Sequence, residues 1–336
     1  MSTDTLPAKE AASPAASGPG SSAARRNTLR SRRRSNALRT LAFMSPWLIG
    51  FGFFFVYPLV STVYFSLMKY DGLNAPEWRG LDNWEYVLTS FPQFWPALRN
   101  TLWLCVVMVS CRVVFGLGIG MLITKIKTGA GIFRTLFYLP FLAPPVAATL
   151  AFVFLLNPGT GPVNTLLEAI GLPAPAWFTD PAWAKPALTL LAVWGIGDLM
   201  VIFMAALLDV PKEQYEAAEL DGANARQRFR HITLPNISPI ILFAVVTGII
   251  GAMQYYTQPI VASKVASGVM GGSGVTFVPG YPDDSTLTLP QLVYSLGFSQ
   301  FNYGAACVVA LVLFAFSMAF TALLMRRRGG LIGSGD

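Results

Sequence analysis

The sequence is short of charge. Of its 336 residues only 12% are Asp, Glu, Lys or Arg, about half the share found in a soluble domain. A water-soluble enzyme of this length could not cover its surface with so few charges. A disordered chain would not carry 54% hydrophobic residues. Histidine occurs once, at His231, in a basic stretch without clustered partners, which argues against a histidine metal site or proton relay. Cysteine occurs three times, at Cys105, Cys111 and Cys307. The number is odd, no metal spacing exists and all three fall in apolar runs, so they read as small core residues. A phosphate loop is also missing, because the Gly-rich stretch from Gly268 (GVMGGSG) lacks the Lys-Ser/Thr that would hold a nucleotide. No nucleophile–base set marks an enzyme, and a metal site at Asp283 and Asp284 has little to recommend it.

What the sequence does have is long apolar runs. Residues 41–67 carry no charge, are too long for a signal peptide and have no cleavage pattern after them, so they read as a retained transmembrane helix. Five more spans are expected near 101–123, 135–156, 187–208, 238–262 and 304–325, each close to or above the roughly 20 residues a bilayer needs. Pro140, Pro144 and Pro145 should bend the third. The expected fold class is an all-α polytopic membrane protein with six transmembrane helices. The net charge of +7 comes from 24 Lys and Arg against 17 Asp and Glu. With the N-terminus inside, eighteen basic residues lie inside and five outside (Lys69, Arg79, Arg99, Lys185 and Lys264), so the positive-inside rule selects N-in, C-in. The basic excess then needs no nucleic-acid partner. Residues 1–40, rich in Ala, Ser, Pro and Gly before their arginines, read as a disordered basic cytoplasmic tail. Its Arg cluster is most simply a topogenic flank; a nucleic-acid arm and a transit peptide are the other readings. Residues 41–325 form the membrane domain and 326–336 a cytoplasmic C-terminal tail.

The loops differ by side. The outside loops 69–98 and 157–186 are aromatic, through Trp78, Trp84, Trp95, Trp177 and Trp183 among others. They fit an interface belt or a docking surface for an external partner. Asp284 or Ser285 is expected to cap a short interfacial helix through Phe298. The inside loop 209–237 is patterned. Pro211 suits a first helical turn and Lys212–Leu220 are good helix formers. Ala217 and Ala218 leave a flat patch. Gly222 breaks the helix, since glycine adopts left-handed dihedrals cheaply. Asn224 can cap a second short helix, which Leu234-Pro235 should end before the fifth span. The loop is thus expected to be a helix–turn–helix elbow.

That elbow carries a resemblance. Glu216-Ala217-Ala218, then Asp221-Gly222-Ala223, then nine residues from Gly222 to Ile232-x-Leu234-Pro235, resembles the EAA signature of binding-protein-dependent ABC transporter permeases. Two further stretches resemble the sugar branch of that family, the maltose/glycerol-phosphate type. One is Arg134-x-x-x-x-Leu139-Pro140-Phe141 with Gly161-Pro162-Val163-Asn164. The other is Gly297-Phe298 with Phe301-x-x-Gly304-Ala305-Ala306. The resemblance covers residues 40–328. It implies the type I ABC importer permease fold, a second homologous permease subunit, a cytoplasmic ABC ATPase dimer, an extracellular solute-binding protein and a sugar substrate. Residues Glu216, Ala217, Ala218, Asp221 and Gly222 match the part of the elbow that sits in the ATPase cleft, and Leu234 and Pro235 its return toward the membrane. ATP would be bound by the partner ATPase subunits; this chain needs no cofactor and no metal. The location implied is the bacterial inner or plasma membrane.

Within the spans, two ionisable residues sit near mid-membrane, Arg112 in the second and Asp198 in the fourth. A charge there is costly by several kcal/mol, so each needs a partner or water. They are expected to pair or to line the substrate pathway; a pair that only fixes helix packing is the competing reading. Arg112, Gly116 and Gly120 share one helix face, and Trp194 and Asp198 another. At the end of the fifth span, Gly248, Gly251, Tyr255 and Gln258 can share a strip, with Gln254 beside it. Aromatic faces and amides suit a carbohydrate, whereas a terminal tyrosine also suits an interface anchor. The alternative function is an ion-coupled secondary transporter using Arg112 and Asp198, though no internal repeat is visible.

Overall fold

The computed structural model describes residues 40–268 and 279–332. The basic tail, the Gly-rich run and the last four residues lie outside the described residues. The chain divides into two compact units, Met1–Ser61 and Thr62–Asp336. Within the described residues of the first lies most of a helix, α1 (Thr40–Ser66), long and apolar enough to cross a membrane. Trp47, Phe51 and Phe55 stack along it with centroids 5.3 and 5.6 Å apart, the spacing that puts i and i+4 on one face. A wide π-turn over Gly52–Val56 precedes Pro58, whose missing N–H the regular ladder could not have used.

The second unit starts with a small antiparallel pair, Met68–Lys69 against Glu77–Trp78. Its turn is held by Asp71, whose carboxylate accepts from the Leu73 and Asn74 N–H groups and the Asn74 amide. These donors lower the Asp71 pKa to about 2. A short helix α2 (Asp82–Glu85) leads to α3 (Phe94–Thr124), the central helix of the unit. Around α3 come α4 (Ala130–Leu142), α5 (Pro145–Leu155), α6 (Pro162–Ala169), α7 (Pro181–Trp194) and α8 (Gly197–Leu208). Next are α9 (Lys212–Leu220), α10 (Ala225–Met253), α11 (Thr257–Ala266), α12 (Leu289–Tyr294) and α13 (Tyr303–Ile332). Among the described residues four helices are long and apolar enough to span a membrane, and up to six spans result if the bent pairs α4–α5 and α7–α8 each count as one.

The bends have local causes. Between α4 and α5 the chain turns by 98°, where Ala143 and Pro144 are extended and Pro145 opens α5. Between α7 and α8 it turns by 52° at Gly195–Ile196. Small residues let helices touch. A Cβ on Gly197 would lie 2.7 Å from the Phe137 carbonyl oxygen, and one on Gly120 would lie 3.3 Å from the Met204 nitrogen. So α8 packs backbone-close against both α4 and α3. Buried Leu104, Met108, Leu188 and Met253 form one core, and Phe94, Leu98, Leu289 and Leu292 another.

Four expectations are corrected. The apolar run expected over 238–262 is two helices, because α10 stops at Met253 and α11 starts at Thr257. Gln254 already leaves helical dihedrals (φ −102, ψ 12) and Pro259 falls in the first turn of the next helix, where its missing N–H costs nothing. The second helix of the elbow does not end at Leu234-Pro235. A π-turn over Phe229–Thr233 absorbs the proline and the helix continues unbroken from Ala225 to Met253. Asp284 and Ser285 cap nothing. Asp284 sits in left-handed backbone (φ 53), its carboxylate accepts from Gln93, and Thr288 occupies the cap position of α12. Trp194 and Asp198 do not share one helix face, since the bend falls between them. The loop 157–186 also contains α6, opened by Pro162, which its composition did not announce.

Candidate functional site

The elbow is built by local chemistry. Helix α9 ends in a Schellman motif: the Ala223 N–H donates to the Ala218 carbonyl (2.9 Å) and the Gly222 N–H to the Glu219 carbonyl (3.0 Å). Gly222 has φ +76, the left-handed conformation that motif requires. Asn224 then caps α10 with a capping box, its side chain accepting from the Gln227 N–H while Gln227 bonds back to the Asn224 N–H. Glu216, Ala217, Asp221 and Gly222 are exposed, and Leu220 is 90% exposed at the tip. An apolar side chain presented to solvent beside a flat alanine pair is suited to a protein partner. Leu234 and Pro235 lie on α10 just past the π-turn. His231, on that turn, bonds the Gln227 carbonyl through Nδ1.

A cavity of about 420 Å³ lies where α3, α4, α5, α7 and α10 meet. Arg112, Trp194, Gln254, Tyr255 and Gln258 all line it. They reach it from four separate places, not from one strip: Arg112 is on α3, Gln254 and Tyr255 belong to the α10–α11 break, Gln258 to α11 and Trp194 to the end of α7. Gly251 lines the cavity with open space beside it, whereas Gly248 packs against Val109, so the two glycines do different things. Asp198 is not a lining residue. Its carboxylate oxygens accept from the Arg112 Nη2 at 2.9 and 3.0 Å, holding the guanidinium at the cavity wall. The side chains are 25% and 30% exposed. Gly116 and Gly120, on the Arg112 face, meet Leu199, Phe203 and Met204, which brings α8 close enough for the pair to form.

Sequence reasoning missed other wall residues. Phe141 and Tyr256 line the cavity, and Tyr256 continues through Tyr294 (5.5 Å) to Phe298 (5.3 Å) as neighbouring rings. Phe141 sits at the proline bend, and that bend was the signal that could have found it. A polar network at the start of α3 was also missed. Lys185 Nζ donates to Asn100 Oδ1 (3.0 Å), and Asn100 Nδ2 donates to the Asp284 and Leu287 carbonyls (2.6 and 3.1 Å). Burial pushes the Asp284 carboxyl above its ordinary range, the Gln93 amide opposes the rise and neighbouring Asp283 adds to it. No group of His, Cys, Asp and Glu among the described residues could hold a metal.

Helices long enough to span a membrane surround a partly polar cavity and join an exposed two-helix elbow, and the chain's relatives with this make-up are membrane permeases. The model of the family described as "Binding-protein-dependent transport system inner membrane component" matches residues 113–329, and the chain belongs to that family. It is 34% identical over 298 residues to the probable ABC transporter permease protein YesP of Bacillus subtilis, covering 88% of this chain and 92% of that protein. It is 31% identical to the lactose transport system permease protein LacF of Rhizobium radiobacter, covering 83% and 90%. Its fold matches a chain of the bacterial alginate ABC transporter solved in complex with an alginate pentasaccharide-bound periplasmic protein. That match has a TM-score of 0.68 at 22% identity, covering 89% of this chain and 96% of that one.

Proposed function

We propose that this chain is the translocation subunit of an ATP-driven carbohydrate importer in a bacterial cell membrane. One observation carries the reading: a cavity walled by Trp194, Tyr255 and Tyr256 rings and by the Gln254 and Gln258 amides, inside a permease of this family. Rings cover the C–H faces of a sugar and amides exchange hydrogen bonds with its hydroxyls. Arg112 adds a donor at the wall, and Asp198 balances its charge. The lactose permease relative supports a sugar as cargo. In this reading the chain crosses the membrane six times with both termini in the cytoplasm. Residues 1–40 are a basic cytoplasmic tail, 41–325 the membrane domain and 326–336 a second cytoplasmic tail. A second, homologous permease completes the pathway, an external solute-binding protein delivers the sugar, and a cytoplasmic ATPase dimer binds ATP. The 209–237 elbow meets that ATPase through Glu216, Ala217, Ala218, Asp221 and Gly222, with Leu234 and Pro235 leading back to the membrane. The chain catalyses nothing itself.

The test is transport in proteoliposomes holding the permease pair with its ATPase and binding protein. The ligand is first identified by mass spectrometry on the co-purified binding protein. Uptake of that saccharide on ATP, without any ion gradient, is the expected result; uptake that needs a proton or sodium gradient overturns it. Gly222→Asp should insert and assemble yet abolish uptake. The site has open space for a side chain, and the strain of the positive φ, about 1–2 kcal/mol, is local to the turn, so intact assembly with lost uptake would place the loss on the partner contact.

A further inference from the structure

We infer that α9 is a splint for α10, and that Tyr215 and Gln214 are positioning residues for energy coupling. This rests on the elbow reading above. Helix α10 is a single helix of 29 residues whose first residue follows the Asn224 cap at the elbow. At about 1.5 Å per residue it is a rod of roughly 43 Å. Its far end delivers Gly251 and Ala252 to the cavity, with Gln254 at the break just beyond. A displacement of the elbow therefore reaches the cavity only as faithfully as this rod is stiff.

The rod carries two prolines, Pro235 and Pro239, and is weakest around the first, where a π-turn adjoins it. The π-turn over Phe229–Thr233 is wider than a regular turn, and its closing bond runs from the Leu234 N–H to the Phe229 carbonyl. Pro235 follows at once and has no N–H to give the His231 carbonyl one turn earlier. A π-turn followed by proline is where a helix kinks. Helix α9 bridges this stretch from outside. The Tyr215 hydroxyl and the Thr233 hydroxyl are 2.9 Å apart, with Thr233 buried. Asn236 Nδ2 donates to Gln214 Oε1 at 2.8 Å and to the Ile232 carbonyl at 2.8 Å. The two struts land on either side of Pro235. A third contact, Arg228 to Glu219 at 3.1 Å, ties the near ends together but is exposed and adds little. If α9 were only a docking knob, it would need none of these bonds to α10. The two struts are hydrogen bonds and not ion pairs.

Hydrogen–deuterium exchange on the assembled transporter tests this, with and without a non-hydrolysable ATP analogue. In the wild type, nucleotide should change exchange both at 212–222 and at 250–256. The double variant Tyr215→Phe with Gln214→Leu removes both struts. It should raise exchange over 229–236 about tenfold, the effect of two hydrogen bonds of ordinary net strength. Its response at 212–222 should persist while that at 250–256 is lost. Gln214→Glu keeps an acceptor for Asn236 and should restore the far response when combined with wild-type Tyr215. If the double variant does not assemble, Tyr215→Phe alone, which deletes one oxygen, is read the same way. An unchanged nucleotide response at 250–256 in the strut variants overturns the splint. If the wild-type elbow shows no protection by the ATPase at 212–222, the elbow reading itself fails and the splint falls with it.

Discussion

At the scale of the residue, the Arg112–Asp198 pair decides how α3 and α8 meet. Leaving either charge alone within the spans would cost at least about 2.5 kcal/mol by insertion scales. The pair avoids that cost through one guanidinium nitrogen shared between both carboxylate oxygens. Breaking a fully buried pair costs about 3–5 kcal/mol, and with both side chains a quarter or more exposed we discount this to about 2 kcal/mol. Asp198→Asn and Arg112→Met should each lower the melting temperature of the purified protein, and Arg112→Asp with Asp198→Arg should recover part of the loss. Single variants as stable as the wild type would mean that the pair does not hold the helices. The sequence left open whether these residues pair or line the pathway. In the structure Arg112 pairs with Asp198 and also lines the cavity, whereas Asp198 pairs without lining it.

At the scale of the element, glycines that look alike in sequence do different work. Gly118 is exposed on α3 with nothing near the place a Cβ would occupy, whereas a Cβ on Gly197 would collide with the backbone of Phe137 and Tyr138. Gly118→Ala should therefore hold or raise the melting temperature, since alanine favours helix by up to about 1 kcal/mol. Gly197→Ala should lower it by forcing α4 and α8 apart, a change of about 1–3 kcal/mol. Equal effects at the two sites would remove the argument for backbone-close packing there. That the chain is built of long apolar helices was legible because length and apolarity are direct requirements of a bilayer, and the bend at Pro144-Pro145 because proline leaves no alternative. The elbow was legible through Gly222 and Asn224, whose roles are local. The end of α10 at Met253 was not, since no Gly or Pro marks it. Its run through Pro235 was not either, because a proline reads as a stop unless the preceding turn can widen. The strip that periodicity drew through Gly248, Gly251, Tyr255 and Gln258 is absent, because the chain breaks after Met253 and Gly248 packs against Val109.

At the scale of the whole molecule, the open question is which way the elbow faces, and charge carries the answer. Lys and Arg near span ends are held on the cytoplasmic side, so a topology is favoured in proportion to the asymmetry of its short loops. In the proposed six-span topology the asymmetry is large, with eighteen basic residues on the side of the 125–134 turn and the 209–237 elbow and five on the other. Two exposed leucines report on the two faces. Leu73, 84% exposed in the turn of the small β-pair, belongs to the less basic side, and Leu220, 90% exposed, is the tip of the elbow. In intact cells a membrane-impermeant maleimide should label Leu73→Cys and leave Leu220→Cys unmodified until the membrane is opened. The native cysteines give a low background: Cys105 is buried, and Cys111 and Cys307 lie within α3 and α13. The reverse pattern would put the elbow outside, away from ATP, and would remove the coupling role of Gly222 and of the α9 splint together. Labelling of both sites in intact cells would mean that the basic excess does not fix a single orientation. Labelling of Leu73→Cys alone would set the elbow, the 29-residue rod and the cavity at its far end on one line from cytoplasm into the membrane.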